Sequence, residues 1–322
     1  MRLRFIASDL AAAAAFALFA HPALQAAHSS EAREMRIPAG DASLYAREIG
    51  RGPAVIVLHG GPDFDSGYLL PDLDRLKDSY RLIYFDQRGR GRSADHVRPE
   101  EVTLASELDD IDKVTKHFHV ERPALLGHSW GALLAVEYAL RHPTRVSRLI
   151  LMNPAPLSAS DVALLRKSYV AALGADMDRQ REILAGDAYK SGDPDAVAAR
   201  YRIHFEHALK RPEDYEKLMA TMKAAFARQG KDGIVKARAV EDHLYLDTWQ
   251  VPGYDLLPKL HNLRVPTLVI VGDSDFIPPE IAGRIAKAIP SAKLVTIPDC
   301  GHFAYLERPD QVRAALNDFF RR

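Results

Sequence analysis

Ser129 is the central residue of the segment Gly127-His128-Ser129-Trp130-Gly131, which matches the pattern G-x-S-x-G. An apolar, strand-like run precedes the segment and a helical pattern follows it, so Ser129 is expected on a sharp turn between a strand and a helix. The glycines allow the close backbone contacts of such a turn, and the start of the helix places free N–H groups beside the hydroxyl. The pattern predicts a nucleophile that attacks a carbonyl carbon; the alternative is a serine that only caps the helix.

A serine hydroxyl needs a general base, and the base needs a carboxylate that orients it. In an open parallel sheet, both groups are expected on loops at the carboxyl ends of later strands. Of the thirteen histidines, His302 alone follows the last predicted strand in the required order. The preceding strand, "PTLVIVG", is followed by Asp273 and Asp275. The residues therefore predict His302 as the base and leave two carboxylates as its partner.

Attack on a carbonyl group produces an oxyanion, which backbone N–H groups can stabilise. One donor is expected to be the N–H of Trp130, the residue after the serine. The second is expected in the loop "HGGPD", residues 59–63, which follows the first strand of the predicted parallel sheet. Pro62 has no N–H, so Gly61 is the predicted donor. This chemistry requires neither a metal ion nor a cofactor, and we expect none.

The elements that must position these residues follow a regular order. Two alternating stretches, 33–38 and 42–50, predict an antiparallel hairpin. Short apolar strand candidates then alternate with helical segments, which predicts an α/β fold with a mostly parallel sheet flanked by helices on both faces. The strand candidates lie at 54–58, 81–85, 123–127, 146–152, 266–273 and 292–298.

Between residues 158 and 250 helix signals replace the strand signals, with a break predicted at the glycine-containing stretch "RQGKDG", 228–233. Pro194 directly after Asp193 is a typical helix start in this segment. We therefore predict an α/β core formed by residues 28–157 and 251–322, with residues 158–250 inserted as a helical cap. Such a cap would exclude bulk water and select the substrate.

The first 27 residues differ in composition from the rest. Arg2 and Arg4 precede eleven apolar residues, Leu10–Ala20, a run too short to span a membrane and typical of a signal peptide. We expect export to the periplasm or the medium; a cytoplasmic protein is the alternative. Basic and acidic residues number 43 each, which argues against a nucleic-acid partner, and no segment predicts stable membrane insertion. The expected partner is a small molecule or a short peptide, and the oligomeric state is left open.

The order Ser129, Asp275, His302, with the loops that carry these residues, resembles the α/β-hydrolase superfamily over nearly all of the chain after the leader. In that superfamily the pattern G-x-x-D follows the penultimate strand. Its counterpart here is "GDSD", residues 272–275. The resemblance therefore implies Asp275 as the carboxylate, with Asp273 as the less favoured alternative, and a serine hydrolase that forms an acyl-enzyme.

A narrower resemblance lies in three motifs: "HGGPD" at 59–63, "FDQRGRGRS" at 85–93 and the serine turn with Trp130. Together they look like the proline iminopeptidase family, serine peptidases that release an N-terminal residue, preferentially proline. In that family, acidic residues of a helical cap hold the free amine of the substrate. Two features depart from the family: Asp63 replaces its usual glycine, and its Trp-Glu pair is not found in the sequence 158–250.

A free amine in the substrate would need a carboxylate, and the candidates are Asp63, Glu206 and Glu241, with Asp242 beside the last. Within the predicted cap, Glu206, Glu241 and Asp242 would otherwise be ordinary solvated side chains. Asp63 could either attract an ammonium group of the substrate or repel the oxyanion. We expect a proline-iminopeptidase-like aminopeptidase that acts on small peptides, with a carboxylesterase or lactonase as the alternative. A non-catalytic binding protein of the same fold is the remote alternative.

Overall fold

The computed structural model describes residues 31–321, and the predicted signal peptide, residues 1–27, lies outside them. The described residues contain a sheet of eight strands. The strands are β1 Arg33–Ala39, β2 Ala42–Ile49, β3 Ala54–Leu58, β4 Arg81–Phe85, β5 Ala124–His128, β6 Arg148–Met152, β7 Thr267–Gly272 and β8 Ala292–Ile297.

The strands are arranged in the order β1-β2-β4-β3-β5-β6-β7-β8. β1 and β2 form an antiparallel hairpin, and β2 pairs antiparallel with β4. All the other neighbours are parallel. The α/β class and the mostly parallel sheet predicted from the sequence are therefore confirmed.

Helices connect and cover the strands. The α-helices are α1 Leu104–His117, α2 Trp130–Arg141, α3 Ala159–Leu173, α4 Asp176–Ala185, α5 Asp187–Lys190, α6 Pro194–His204, α7 Pro212–Leu246, α8 Leu257–Leu260, α9 Pro279–Ala288, α10 Ala304–Glu307 and α11 Pro309–Arg321. None of those within residues 31–321 has both the length and the apolar character needed to cross a membrane.

The sheet is buried on both faces. In β3, Ile56 and Leu58 belong to one apolar core, whereas Val55 and Val57 belong to a second. Successive side chains of a strand point to opposite faces, so the two cores lie on opposite sides of the sheet. This explains why the inner strands read as continuous apolar runs rather than as alternating ones.

The segment predicted as a helical cap, residues 158–250, contains α3 to α7. Gly230 interrupts α7 with φ 70° and ψ 174°, inside the stretch where the sequence predicts a break. The helix nevertheless resumes and continues to Leu246, which the sequence did not predict. Its buried side chains there recur every three or four residues, as on one face of a helix; they are Ile234, Ala237, Val240 and Leu244. The division of the chain at residues 158 and 250 stays a prediction.

Candidate active site

The turn at Ser129 joins β5 to α2. Ser129 has φ 54° and ψ −118°, a conformation that L-residues rarely adopt. A Cβ atom on Gly127 would lie 2.2 Å from the carbonyl oxygen of Gly131, and one on Gly131 would lie 2.1 Å from that of Leu58. The backbone N–H of Ser129 donates to the carbonyl oxygen of Met152 at a distance of 3.0 Å. The flanking strands therefore hold the serine in a strained turn that only glycine neighbours permit.

His302 and Asp275 form a buried pair on the loops after β8 and β7. His302 Nδ1 lies 2.9 and 3.1 Å from the two carboxylate oxygens of Asp275. Asp275 Oδ1 also accepts the N–H of Ile277 at 2.9 Å, and Oδ2 accepts the Asn153 amide at 2.8 Å. With Nδ1–H donated to the carboxylate, Nε2 of the imidazole is left to accept a proton.

Asp273, the alternative carboxylate, lies away from His302. It is exposed, and its Oδ1 accepts the hydroxyl of Ser274 at 3.0 Å and the N–H of Cys300 at 3.3 Å. It therefore fixes the two loops to each other rather than orienting the imidazole.

Asn153 is a residue of this site that sequence reasoning missed. It follows β6 with φ 47°, and its amide donates to Asp275 and, at 3.2 Å, to the carbonyl of Gly301. It thus ties the carboxylate to the loop of His302. Its partner Asp275 lies 122 positions further along the chain, and no local pattern indicates the contact.

The proposed oxyanion donors lie on two separate segments. Trp130 is the first residue of α2, so its N–H has no acceptor within the helix. Gly61 has φ 122°, and a Cβ atom there would lie 2.5 Å from the backbone nitrogen of Asp63. Gly61 and Ser129 line the same cavity. The positions are compatible with an oxyanion hole, whose assignment stays a prediction.

Tyr68 and His128 connect these parts. The carbonyl of His302 can only accept, so His128 Nε2–H donates to it at 3.0 Å. In the neutral ring Nδ1 is then an acceptor and takes the proton of the Tyr68 hydroxyl, 2.7 Å away, while that hydroxyl accepts the Gly60 N–H at 2.7 Å. Burial, followed by the nearby His302, lowers the pKa of His128 well below its ordinary value, which keeps this ring neutral. The sequence did not indicate Tyr68.

The base loop also contacts the segment between α6 and α7. The N–H of His302 donates to the carbonyl of Ala208 at 2.7 Å. A Cβ atom on Gly301 would lie 2.1 Å from the same carbonyl oxygen, so only glycine allows this approach. The position of the imidazole therefore depends on the helical segment above it.

A cavity of about 100 Å³ opens over Ser129 and His302. This volume is small beside the roughly 300–1,000 Å³ of ordinary ligand pockets, which favours a small acyl group. One part of the wall is aromatic and is formed by Phe64, Tyr68, Phe205, Phe276 and Phe303. The polar part is formed mainly by the helical segment and comprises Asp63, Arg200, Tyr201, His204, Glu241 and Tyr245.

Two carboxylates in this wall carry phenol partners. The Tyr201 hydroxyl donates to Asp63 Oδ2 and the Tyr245 hydroxyl donates to Glu241 Oε1, each at a donor–acceptor distance of 2.5 Å. Burial raises the pKa of Asp63. Burial and then the charge of Asp63 raise the pKa of Glu241 to about 8. Glu241 is therefore mostly protonated at neutral pH.

Of the predicted amine anchors, the structure brings Asp63 and Glu241 to the cavity but not Glu206. Glu206 follows the end of α6 and is exposed, and Asp242 is exposed on α7. The prediction for Glu206 is therefore wrong: the helix ends at His204, and the next turn directs the carboxylate to solvent. Within residues 31–321, no group of three or more His, Cys, Asp or Glu side chains is arranged to hold a metal ion.

The strand order, the serine turn after β5 and the Asp–His pair after β7 and β8 together are the features of the α/β-hydrolase fold. Residues 53–309 match the sequence profile of the family described as alpha/beta hydrolase fold, and the chain belongs to that family. It is 28% identical over 299 residues to the proline iminopeptidase of Lactobacillus helveticus (strain DPC 4571), covering 89% of this chain and 97% of that one. The resemblance inferred from the sequence motifs is confirmed.

Solved structures with lower sequence identity share the fold. The proline iminopeptidase of Mycobacterium smegmatis superposes with a TM-score of 0.64 at 24% identity, over 90% of this chain and 98% of that one. Est816, described as an N-acyl homoserine lactone degrading enzyme, superposes with a TM-score of 0.66 at 23% identity, over 88% and 100% of the two chains. A proline iminopeptidase and an enzyme that degrades N-acyl homoserine lactones thus share this architecture, and the fold alone does not distinguish their substrates.

Proposed function

We propose that the protein is a serine hydrolase of the aminopeptidase type, which releases the N-terminal residue of small peptides. The Ser129 hydroxyl attacks the carbonyl carbon, and His302 accepts its proton and returns it to the leaving amine. Asp275 orients the imidazole and stabilises its cation. The N–H groups of Gly61 and Trp130 stabilise the oxyanion of each tetrahedral intermediate. Water, deprotonated by His302, then hydrolyses the acyl-enzyme and regenerates the serine.

One observation carries this proposal: His302 Nδ1 lies 2.9 Å from Asp275, and both His302 and the strained Ser129 line one cavity. The helix cap serine considered as the alternative would satisfy a backbone N–H, yet Ser129 makes no side-chain cap bond to α2. The hydroxyl is therefore available for chemistry.

The acidic pair supports the choice of an amine-bearing substrate. Asp63 and Glu241 line the cavity that holds the serine, and both are withdrawn from bulk water. An ammonium group between them would pair with Asp63 and favour ionisation of Glu241, so that binding would release a proton near pH 7. The relationship to proline iminopeptidases agrees with this substrate class.

A paired set of substrates tests the aminopeptidase assignment. We expect release of naphthylamine from proline naphthylamide and none from its N-acetylated form, because acetylation removes the positive charge. Glu241→Gln should lower kcat/KM for the free-amine substrate by about 10- to 100-fold, the range of one charged hydrogen bond. Glu206→Gln, which changes an exposed carboxylate between α6 and α7, is the control and should leave kcat/KM unchanged.

A carboxylesterase or lactonase is the second candidate. It is favoured by the raised pKa of Glu241, which leaves the cavity less anionic at neutral pH, and by the fold shared with a lactonase. Rapid cleavage of short p-nitrophenyl esters and of lactones, without any naphthylamine release, would select this candidate over the aminopeptidase. Both candidates use the same Ser129, His302 and Asp275.

We also propose that the protein is exported and that residues 1–27 are then removed as a signal peptide. The charged start and the eleven-residue apolar run of the sequence support this localisation. Expression of the full chain in a Gram-negative host, followed by fractionation and mass spectrometry of the N-terminus, tests it. A periplasmic product that begins near Ala26 or Ala27 is expected; an intact N-terminus in the cytoplasm would contradict export.

A further inference from the structure

Arg200 is the permanently charged cation in the wall of the cavity. Its guanidinium has no hydrogen bond or ion pair with any of residues 31–321, and its Nε atom is buried without a partner. Its guanidinium carbon lies over the face of the Tyr201 ring, 4.2 Å from the ring centroid. Arg90, which is fully buried, is instead paired with Glu107 at 2.7 Å. Arg200 therefore stands out as a partly buried guanidinium in the cavity wall whose donors have no partner among residues 31–321.

The carboxylates of the cavity do not occupy these donors. Asp63 and Glu241 attract the guanidinium electrostatically, but neither forms an ion pair with it, and each is bonded to a tyrosine hydroxyl. A guanidinium that is partly withdrawn from water, with its Nε buried and unpaired, gains from a direct anionic partner. Its planar fork of N–H donors matches the two oxygens of a carboxylate. A ligand carboxylate would supply the missing partner.

We propose that Arg200 binds a carboxylate on the acyl part of the substrate, so that the preferred acyl group carries an ammonium and a carboxylate together. This inference rests on the proposed function, which places the acyl group between Ser129 and the helical segment. The ammonium lies between Asp63 and Glu241, and the carboxylate lies against Arg200. N-terminal aspartyl and glutamyl residues share this chemistry with γ-glutamyl groups. The reaction is unchanged: water cleaves the acyl–nitrogen bond and releases an acidic amino acid and an amine.

The competing explanation is that Arg200 only balances the charge of Asp63 and Glu241 from a distance. Under that explanation, the enzyme would not distinguish a ligand that carries a carboxylate from its amide of the same shape. L-Glutamic acid α-amide and L-glutamine each carry the ammonium and one carboxylate, whereas L-glutaminamide carries the ammonium and no carboxylate. Their comparison therefore separates the two explanations.

Binding is best measured by isothermal titration calorimetry on full-length Ser129→Ala, which cannot turn over. We expect L-glutamic acid α-amide or L-glutamine, according to which carbonyl is attacked, to bind at least tenfold more tightly than L-glutaminamide. Adding Arg200→Gln should reduce that ratio to about one. Adding Arg202→Gln should leave it unchanged, because Arg202 lies on the same helix but is exposed and paired with Glu216.

Equal dissociation constants for all three ligands, no binding of either carboxylate ligand at millimolar concentration, or a preference that survives Arg200→Gln would each overturn the inference. If Arg200→Gln does not fold by circular dichroism, the three ligands on Ser129→Ala alone decide. The kinetic arms use α-aspartyl, α-glutamyl, γ-glutamyl and glutaminyl p-nitroanilides on the unmodified enzyme, and they identify which carbonyl is attacked. If the proposed function is wrong, none of the anilides is hydrolysed, whatever the ratio of the dissociation constants. This result is distinct from the failure of the inference about Arg200, which appears as the absence of a preference in binding.

Discussion

Tyr68→Phe removes one hydroxyl that bonds to both sides of the active site. The phenol accepts from Gly60, the residue before the predicted oxyanion donor, and donates to His128, the residue before the predicted nucleophile. The ring itself is buried and would be kept by phenylalanine. The substitution therefore tests the hydrogen bonds with little change in packing.

The expected effect has two components. The Gly60 N–H loses its acceptor inside the protein, which costs about 1–3 kcal/mol of the free energy of unfolding. The loop that carries Gly61 also loses its restraint. Removal of an entire oxyanion donor lowers kcat by about 10²–10³, so a displaced donor should lower kcat by roughly 10- to 100-fold. KM should change little, because the substrate does not need the oxyanion hole to bind.

Urea unfolding measures the first component, and steady-state kinetics on whichever of the naphthylamide, ester or lactone substrates is cleaved measure the second. Tyr305→Phe is the matched control, since the Tyr305 hydroxyl is also buried and donates to the carbonyl of Tyr68 at 3.0 Å, but contacts neither Gly60 nor His128. We expect it to lose stability without the loss in kcat. A Tyr68→Phe enzyme with wild-type kcat, or one whose kcat falls no further than that of Tyr305→Phe, would refute the positioning role.

Two further predictions follow from the same geometry. Gly131→Ala should prevent folding or strongly reduce the soluble yield, because its Cβ would lie 2.1 Å from the Leu58 carbonyl oxygen; a folded, labelled variant by circular dichroism and active-site probe would contradict this. Glu241→Gln should stabilise the protein relative to wild type at pH 8 but little at pH 4.5, by on the order of 2 kcal/mol. Between these values the unfolded carboxyl ionises while the folded one, with its pKa raised to about 8, stays protonated, so the wild type loses stability as pH rises. Equal urea midpoints of the two proteins at both pH values would rule this out.

The parts of the site that local sequence patterns encode could be predicted. Ser129 lies between glycines in a turn whose steric requirements are visible within five residues, and His302 follows an apolar strand at the expected place in the chain order. Asp275 needed the family resemblance, because Asp273 follows the same strand and only the loop geometry separates them.

The parts that depend on long-range contacts could not be predicted. Tyr68 forms a hydrogen bond with His128, which lies 60 positions further along the chain. Arg200 lines the cavity from helix α6, and the sequence does not define which way the side chains of that helix point. Glu206 was misassigned for the same reason, since acidity alone does not specify which side of a turn a carboxylate faces. The part of helix α7 after Gly230 was not predicted. The glycines of this stretch indicate a break, and this signal is stronger than the helical spacing of the apolar residues that follow.

The central claim is that Ser129 is a nucleophile activated by His302. Labelling of the purified protein with a fluorophosphonate probe, followed by peptide mass spectrometry, tests it most directly and also addresses the non-catalytic alternative. We predict one adduct, on the peptide that contains Ser129, together with no labelling of Ser129→Ala and strongly reduced labelling of His302→Ala. No adduct on folded wild-type protein, or equal labelling of wild type and Ser129→Ala, would contradict the claim.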